Sequence, residues 1–169
     1  MSRLVEFYRG VAPDTEGRMF ADLWAFSDDE MESIHDFIQW MFPLREPSRF
    51  NPDAPLVTDA DVETFRADPA MRQSLRRSFE KFLAFLGLAF EGGKVVEGPD
   101  FEAKGEVWRY PNHNWLRITR VLASTRMLGL EDEGLAFFEF LRRLRDGGRS
   151  GIDPSTFRYW EGAAGRGRP

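Results

Sequence analysis

The chain has 169 residues, a net charge of −5 and no cysteine, and 42% of its residues are hydrophobic and 14% aromatic. This length supports one substantial core, and the aromatic content argues against intrinsic disorder. The lack of cysteine excludes disulfides and thiolate metal sites, and the negative charge argues against a nucleic-acid surface. There is no signal-peptide core, and no apolar run reaches the roughly 20 residues of a membrane span. We therefore expect a soluble, cytoplasmic protein.

The first strong helix signal lies near residue 30. Ser27 and Glu30 have the spacing of a capping box, and Pro43 cannot continue a helix, so the pattern predicts one helix that ends near Met41. The stretch 42–57 then contains four prolines. Proline at this density fixes the backbone and predicts an extended loop that wraps a surface.

Two helices are predicted after this loop. Thr58 with Asp61 starts a short helix, and Asp68 followed by Pro69 starts a long one with Gly87 as its C-terminal cap. The apolar residues of the long helix recur at helical spacing and form one inward face: Met71, Leu75, Phe79, Phe82 and Leu86.

The region from 88 to 111 is the least regular. Glu91-Gly92-Gly93-Lys94 reads as the turn of a short β-hairpin over 88–96, and a plain loop is the alternative. Three further elements follow. The first is a helix from about Asn112 to Gly129, and the second is a helix from about Asp132 to Asp146 with one apolar face: Leu135, Phe138, Leu141 and Leu144. The third is a short turn from Asp153 that carries Phe157 and Trp160.

Taken together, the pattern predicts an all-α fold, a helical bundle of about six to seven helices in a single domain over 1–161. The glycine- and arginine-rich stretch 162–169 is predicted to be a flexible tail. Nothing in the sequence indicates a cofactor, and the oligomeric state is left open.

Two polar-aromatic blocks stand far apart in the chain, over 35–44 and 113–120, and each opens with one of the two histidines. Ile38-Gln39-Trp40 precedes Phe42-Pro43 in the first block, and His113-Asn114 precedes Leu116-Arg117-Ile118-Thr119-Arg120 in the second. Shorter characteristic segments lie between and around these blocks, among them Pro13-Asp14, Gly17-Arg18, Ser48 and Phe50-Asn51. In this combination the chain resembles the conserved region of the opioid growth factor receptor family over roughly residues 5–145.

The resemblance implies a receptor or binding domain, since the family's founding member is described as a receptor for an opioid pentapeptide. It also implies a nuclear or membrane-associated location for larger members. The resemblance attaches no reaction to any residue of this chain. The partner that it implies is a peptide, and the arginines of the second block add another anionic small ligand as a possible partner.

Helical geometry turns the two blocks into a spatial hypothesis. On the second block's helix His113, Arg117, Arg120 and Ser124 fall within about 60° of one another at 100° per residue. On the first block's helix Glu32, His35, Asp36 and Gln39 form the polar side, with Trp40 near Asp36. We expect the two polar stripes to face each other in the middle of a bundle.

Three interpretations follow. In the first, Asp36 or Glu32 pairs with Arg117 or Arg120, and both histidines are hydrogen-bonded core groups. In the second, the stripes line a pocket that binds a carboxylate or phosphate, with an apolar wall from Trp40, Phe42 or Trp115 and a rim from the proline-rich loop. Its ligand-binding residues would be His35, Gln39, Trp40, His113, Asn114, Arg117 and Arg120.

The third interpretation is catalytic. His35 and His113 with Asp36 would act as acid, base and orienting group, or hold a metal, in a hydrolase. The chain has no recognised metal-ligand spacing, nucleophile motif or nucleotide fingerprint. We therefore expect a non-catalytic binding module without a metal or cofactor, with a structural or protein-interaction domain as the alternative and a hydrolase third.

Overall fold

The structure is a computed structural model that describes residues 1–167. These residues contain nine α-helices, one 3₁₀ turn and one two-stranded antiparallel sheet. The predicted all-α class is therefore confirmed, and so is the hairpin. The chain divides into two compact units, Met1–Ser78 and Phe79 onward, and the division falls inside one long helix.

The first unit has more helices than expected because two short ones lie before the capping box and the helix predicted to end near Met41 is divided into two. Its helices are α1 (Arg3–Tyr8), α2 (Phe20–Trp24), α3 (Asp28–Ser33), α4 (Ile38–Met41), α5 (Asp59–Ala67) and the first part of α6 (Pro69–Phe85). The capping boxes Ser27–Glu30 and Thr58–Asp61 are both formed. Ser2 caps α1 by accepting from the Val5 N–H, and its Oγ donates to Asp61 Oδ1 at 2.6 Å.

Aromatic rings fill the core of this unit. The Phe20 ring lies 4.4 Å from Phe7 and 4.7 Å from Tyr8, and the Tyr8 ring lies 4.5 Å from Phe65. Such tilted and edge-on pairs add to the free energy gained from burying the rings. The Tyr8 hydroxyl donates to the Met41 carbonyl, and burial raises the pKa of Tyr8 well above its usual range.

The second unit begins with the end of α6 and a hairpin. Its elements are β1 (Leu88–Glu91), β2 (Lys94–Glu97), a 3₁₀ turn (Gly105–Trp108), α7 (His113–Met127), α8 (Glu131–Asp146) and α9 (Pro154–Ala163). Gly92 and Gly93 form the two-residue hairpin turn with φ of 57° and 76°, a conformation that glycine adopts at low cost.

Helix periodicity identified most of the buried faces of α6, α8 and α9. The inward residues predicted for α6 are all buried, as are Phe157 and Trp160 of α9. On α8, Phe138, Leu141 and Leu144 are buried, whereas Leu135 is half-exposed. Gly134 allows α7 and α8 to approach closely, because a Cβ built there would lie 2.7 Å from the Thr125 hydroxyl oxygen.

The end of the chain is helical further than expected. Helix α9 continues to Ala163, and the Arg166 N–H donates to the Glu161 carbonyl at 2.7 Å. Residues 168–169 of the predicted tail lie outside the described residues. The domain extent of 1–161 and the flexibility of 162–169 stay predictions.

Candidate functional site

The first block does not form the continuous helix that its sequence predicts. Helix α3 ends at Ser33, Ile34 is extended with ψ of 130°, and α4 begins at Ile38. The prediction that one helix carries Glu32, His35, Asp36 and Gln39 on a single polar face is therefore wrong. His35 and Asp36 lie in the turn between the two helices, and His35 is exposed rather than in the core.

An ion-pair network explains this break. Arg18 Nε donates to Asp14 Oδ2 at 2.7 Å, and its Nη1 donates to Asp36 Oδ1 at 2.9 Å. Burial alone would lower the pKa of Arg18, but the hydrogen bonds and charges of Asp14 and Asp36 outweigh it and raise that pKa. Asp36, one of the two acidic residues that the first interpretation pairs with Arg117 or Arg120, is thus bound by an arginine of its own unit.

The proline-rich loop supplies the remaining contacts of the turn. Asn51 Nδ2 donates to the Asp36 carbonyl at 2.9 Å, and Gln39 Nε2 donates to Ser48 Oγ and to the His35 carbonyl, both at 3.2 Å. The Phe50 ring lies 6.4 Å from the His35 ring. Side chains thus occupy carbonyls that an unbroken helix would use internally, and the loop wraps the turn as predicted.

Trp40 belongs to the core of the first unit. Its ring is fully buried, 5.0 Å from the Phe7 ring, with the Arg3 guanidinium 5.7 Å from its centroid. Gln39 beside it is also buried. Within the first unit Trp40 thus packs against α1, and Gln39 bonds the turn and the proline-rich loop.

Helix α7 places the second block as predicted. Asn114, Arg117 and Ser124 are buried, with Arg117 only 6% exposed, and His113 and Arg120 are half-buried. Arg117 Nη1 donates to Asn114 Oδ1 at 3.3 Å. The polar stripe thus exists as a largely buried face of one helix.

The start of α7 is fixed by a dense set of hydrogen bonds. Asn112 Oδ1 accepts from the Asn114 N–H at 3.0 Å, and Asn112 Nδ2 donates to the Val107 carbonyl at 2.9 Å. Trp115 Nε1 donates to the same carbonyl at 2.7 Å, and Trp160 Nε1 donates to the Trp115 carbonyl at 3.1 Å. These contacts fix the rotation of α7 and therefore the direction of its polar stripe.

The two blocks lie in different compact units. The expectation that His35 and Gln39 meet Arg117 and Arg120 stays a prediction, as does the seven-residue binding site built on it. The structure shows one contact for each block: Asp36 is paired with Arg18, and Arg117 donates to Asn114.

A groove that the sequence did not indicate lies between the hairpin turn and α8. Its volume is about 340 Å³, and it is lined by four charged side chains, Lys94, Asp132, Glu139 and Arg143, and by Gly93, Leu135 and Ala136. Arg143 Nη2 donates to the Val95 carbonyl at 3.2 Å. Leu135 could have signalled the groove, since it follows the apolar periodicity of α8 but is left half-exposed.

Across residues 1–167, no group of three or more His, Asp or Glu side chains is placed to hold a metal ion. Within the same residues no helix is both long and apolar enough to cross a membrane.

Comparison with known proteins gives a consistent result. The family described as the opioid growth factor receptor (OGFr) conserved region matches residues 6–160. The opioid growth factor receptor of Mus musculus is 39% identical over 111 residues, 64% of this chain and 17% of that protein. The receptor of Rattus norvegicus is 35% identical over 134 residues, 75% of this chain and 23% of that protein.

A second group of relatives is more distant. The opioid growth factor receptor-like protein 1 of Xenopus tropicalis is 32% identical over 111 residues, 64% of this chain and 22% of that protein. No solved structure matches. The chain spans less than a quarter of the length of these relatives. Since the family match covers nearly all of its residues, the chain belongs to the opioid growth factor receptor conserved-region family.

Proposed function

We propose that this chain is a non-catalytic binding module for a peptide or another carboxylate-bearing small ligand, and that the polar stripe of α7 receives the carboxylate. The observation that carries the proposal is the position of Arg117. Its side chain lies on a buried helix face with Asn114 and Ser124, and it is only 6% exposed.

The chemistry of this face suits an anion. A guanidinium presents five N–H donors in a planar fork that matches both oxygens of a carboxylate. Arg120 follows three residues later on the same face and is half-buried, so it adds a second positive charge next to solvent. Charge-assisted hydrogen bonds are about twice as strong as neutral ones, and partial burial limits their screening by salt.

The relatives support a binding role through their names, since two of them are called receptors. Their names do not identify the ligand's chemistry beyond the word opioid. The chain covers less than a quarter of those proteins. The proposal of a carboxylate ligand is therefore based on the residues of α7, and the proposal of a receptor role is based on the family.

A structural or protein-interaction domain is the second candidate, and the first unit favours it. There Arg18 bonds both Asp14 and Asp36, and Asn51 donates to the Asp36 carbonyl. Polar residues shared with the family can thus serve to hold a turn in place. If Arg117 has the same role, removing it should destabilise the fold rather than weaken binding.

The test compares short synthetic peptides, each as the free acid and as the C-terminal amide, by fluorescence anisotropy. We expect the acid to bind at least about tenfold more tightly than the amide, and Arg117→Met to remove this preference. The matched control is Arg126→Met, the same change at an exposed position of α7. Mass spectrometry should show the peptides intact after incubation.

Thermal unfolding of both variants separates the two candidates. Binding predicts that Arg117→Met keeps a melting temperature close to that of Arg126→Met. A melting temperature that falls sharply for Arg117→Met alone, with no preference of the wild-type protein for the acid, would establish the structural role instead.

A further inference from the structure

The groove between the hairpin turn and α8 has a charge pattern that the α7 stripe does not share. Asp132, Leu135 and Arg143 follow one another along one side of α8, and Lys94 stands opposite on the hairpin. From the exposed Asp132 to the exposed Arg143 the charge changes from negative to positive, and the apolar residues Leu135 and Ala136 of the same groove lie between them in the sequence.

We infer that this groove is an interaction surface for an extended segment of a partner protein that carries a basic residue at one end and an acidic residue at the other. The basic residue would lie at Asp132, and the acidic residue at Arg143 and Lys94. This surface is distinct from the proposed α7 site and uses none of its residues.

Spacing along the helix sets the length of the segment. Asp132 and Arg143 are eleven positions apart, which corresponds to about 16 Å at the helical rise of about 1.5 Å per residue. An extended chain advances about 3.3 Å per residue, so the two charged residues of the partner are about five positions apart, with about four residues between them.

The groove also has room for a backbone. Its volume of about 340 Å³ includes the surface of Gly93, which has no side chain, and a Cβ built at that glycine would meet nothing within 4 Å. The half-exposed Leu135 and Ala136 line the groove, and small apolar side chains of the segment that contact them would lose contact with water.

Two charges of the groove, Glu139 and Arg143, also make contacts within the chain. Arg142 Nε donates to Glu139 Oε2 at 3.0 Å, which compensates the carboxylate in the middle of the groove. Arg143 Nη2 donates to the Val95 carbonyl at 3.2 Å, and in this hairpin register the Val95 carbonyl points away from β1. A guanidinium has five N–H donors, so this one hydrogen bond still allows Arg143 to bind an acidic residue. Arg143 therefore covers the free edge of β2, and we expect the segment to lie along the groove rather than extend the sheet.

The experiment uses ¹⁵N-labelled full chain and NMR chemical-shift mapping. The probe is the blocked peptide acetyl-Lys-Ser-Val-Ser-Val-Glu-amide, and the control peptide has Gln in place of Lys and Glu. We expect the charged probe to shift the amides of Gly93, Leu135 and Ala136 and the neutral peptide to shift them far less. The shifts should shrink with added salt, because these charges are exposed.

Two charge reversals on exposed side chains test the assignment without disturbing the core. Lys94→Glu and Asp132→Lys should each weaken binding about fivefold or more, whereas Arg158→Glu, on an exposed position of α9, should change it less than about twofold. Arg117→Met should leave these shifts unchanged, so failure of the α7 site and failure of the groove are separate results. Equal shifts with the neutral peptide, or shifts confined to other residues, would overturn the inference.

Discussion

Replacing Arg18 with Met should destabilise the first unit by about 3 kcal/mol, as removal of one partner from a buried ion pair costs about 3–5 kcal/mol. Arg18 bonds Asp14 at 2.7 Å and Asp36 at 2.9 Å, and the Asp14 side chain is 0% exposed, compared with 39% for Asp36. Asp36 regains water in the variant and contributes little to the loss. Asp14 stays buried, but it keeps the backbone N–H bonds of Glu16 and Arg18, both at 2.9 Å, which limits the cost.

The assay is urea unfolding followed by circular dichroism, with thermal unfolding as a second measurement. A loss of about 3 kcal/mol corresponds to a melting temperature lower by about 6–12 °C in a chain of this size. The matched control is Arg45→Met, because Arg45 bonds Asp59 at 2.7 Å in a pair with side-chain exposures of 44% and 89%. Exposed pairs are worth about 1 kcal/mol or less. If the two variants unfold within about 0.5 kcal/mol of each other, the buried network does not stabilise the fold as argued.

Two further predictions concern the second unit. Gly151→Ala should destabilise the fold by about 3 kcal/mol or more, because the added Cβ would lie 1.9 Å from the Arg109 carbonyl oxygen. The control is Gly162→Ala, where the added Cβ would meet nothing within 4 Å, and urea unfolding should show it to be neutral or stabilising. The hydrogen bonds that Asp153 accepts at the start of α9 lower its pKa, so its stabilising effect should be complete above about pH 4 and be lost as the pH falls through the lowered pKa. Asp153→Asn should remove this part of the acid dependence, measured by near-ultraviolet circular dichroism of Trp160; an unchanged pH profile in the variant would contradict the assignment.

Local chemistry determined most of the elements. The capping boxes at Ser27 and Thr58, the prolines and the glycine turn act within a few residues, so their effect can be predicted without the fold. The same holds for the buried face of α6, because helical periodicity alone decides which side chains share a face. The short helices α1 and α2 were missed because they lack a strong periodic pattern and are held by aromatic packing.

Only the tertiary structure decided what the polar residues do. Sequence periodicity placed His35 and Asp36 on a helix, but Arg18 and Asn51, which are distant in sequence, bind the turn and offset the hydrogen bonds that the helix would have gained. The groove likewise needs two elements that are about forty residues apart, the hairpin turn and α8. Sequence determined the helical class, the family and the polar stripe of α7, since these depend on local pattern. Pairing between polar groups depends on which segments pack together, and only the folded chain decides that.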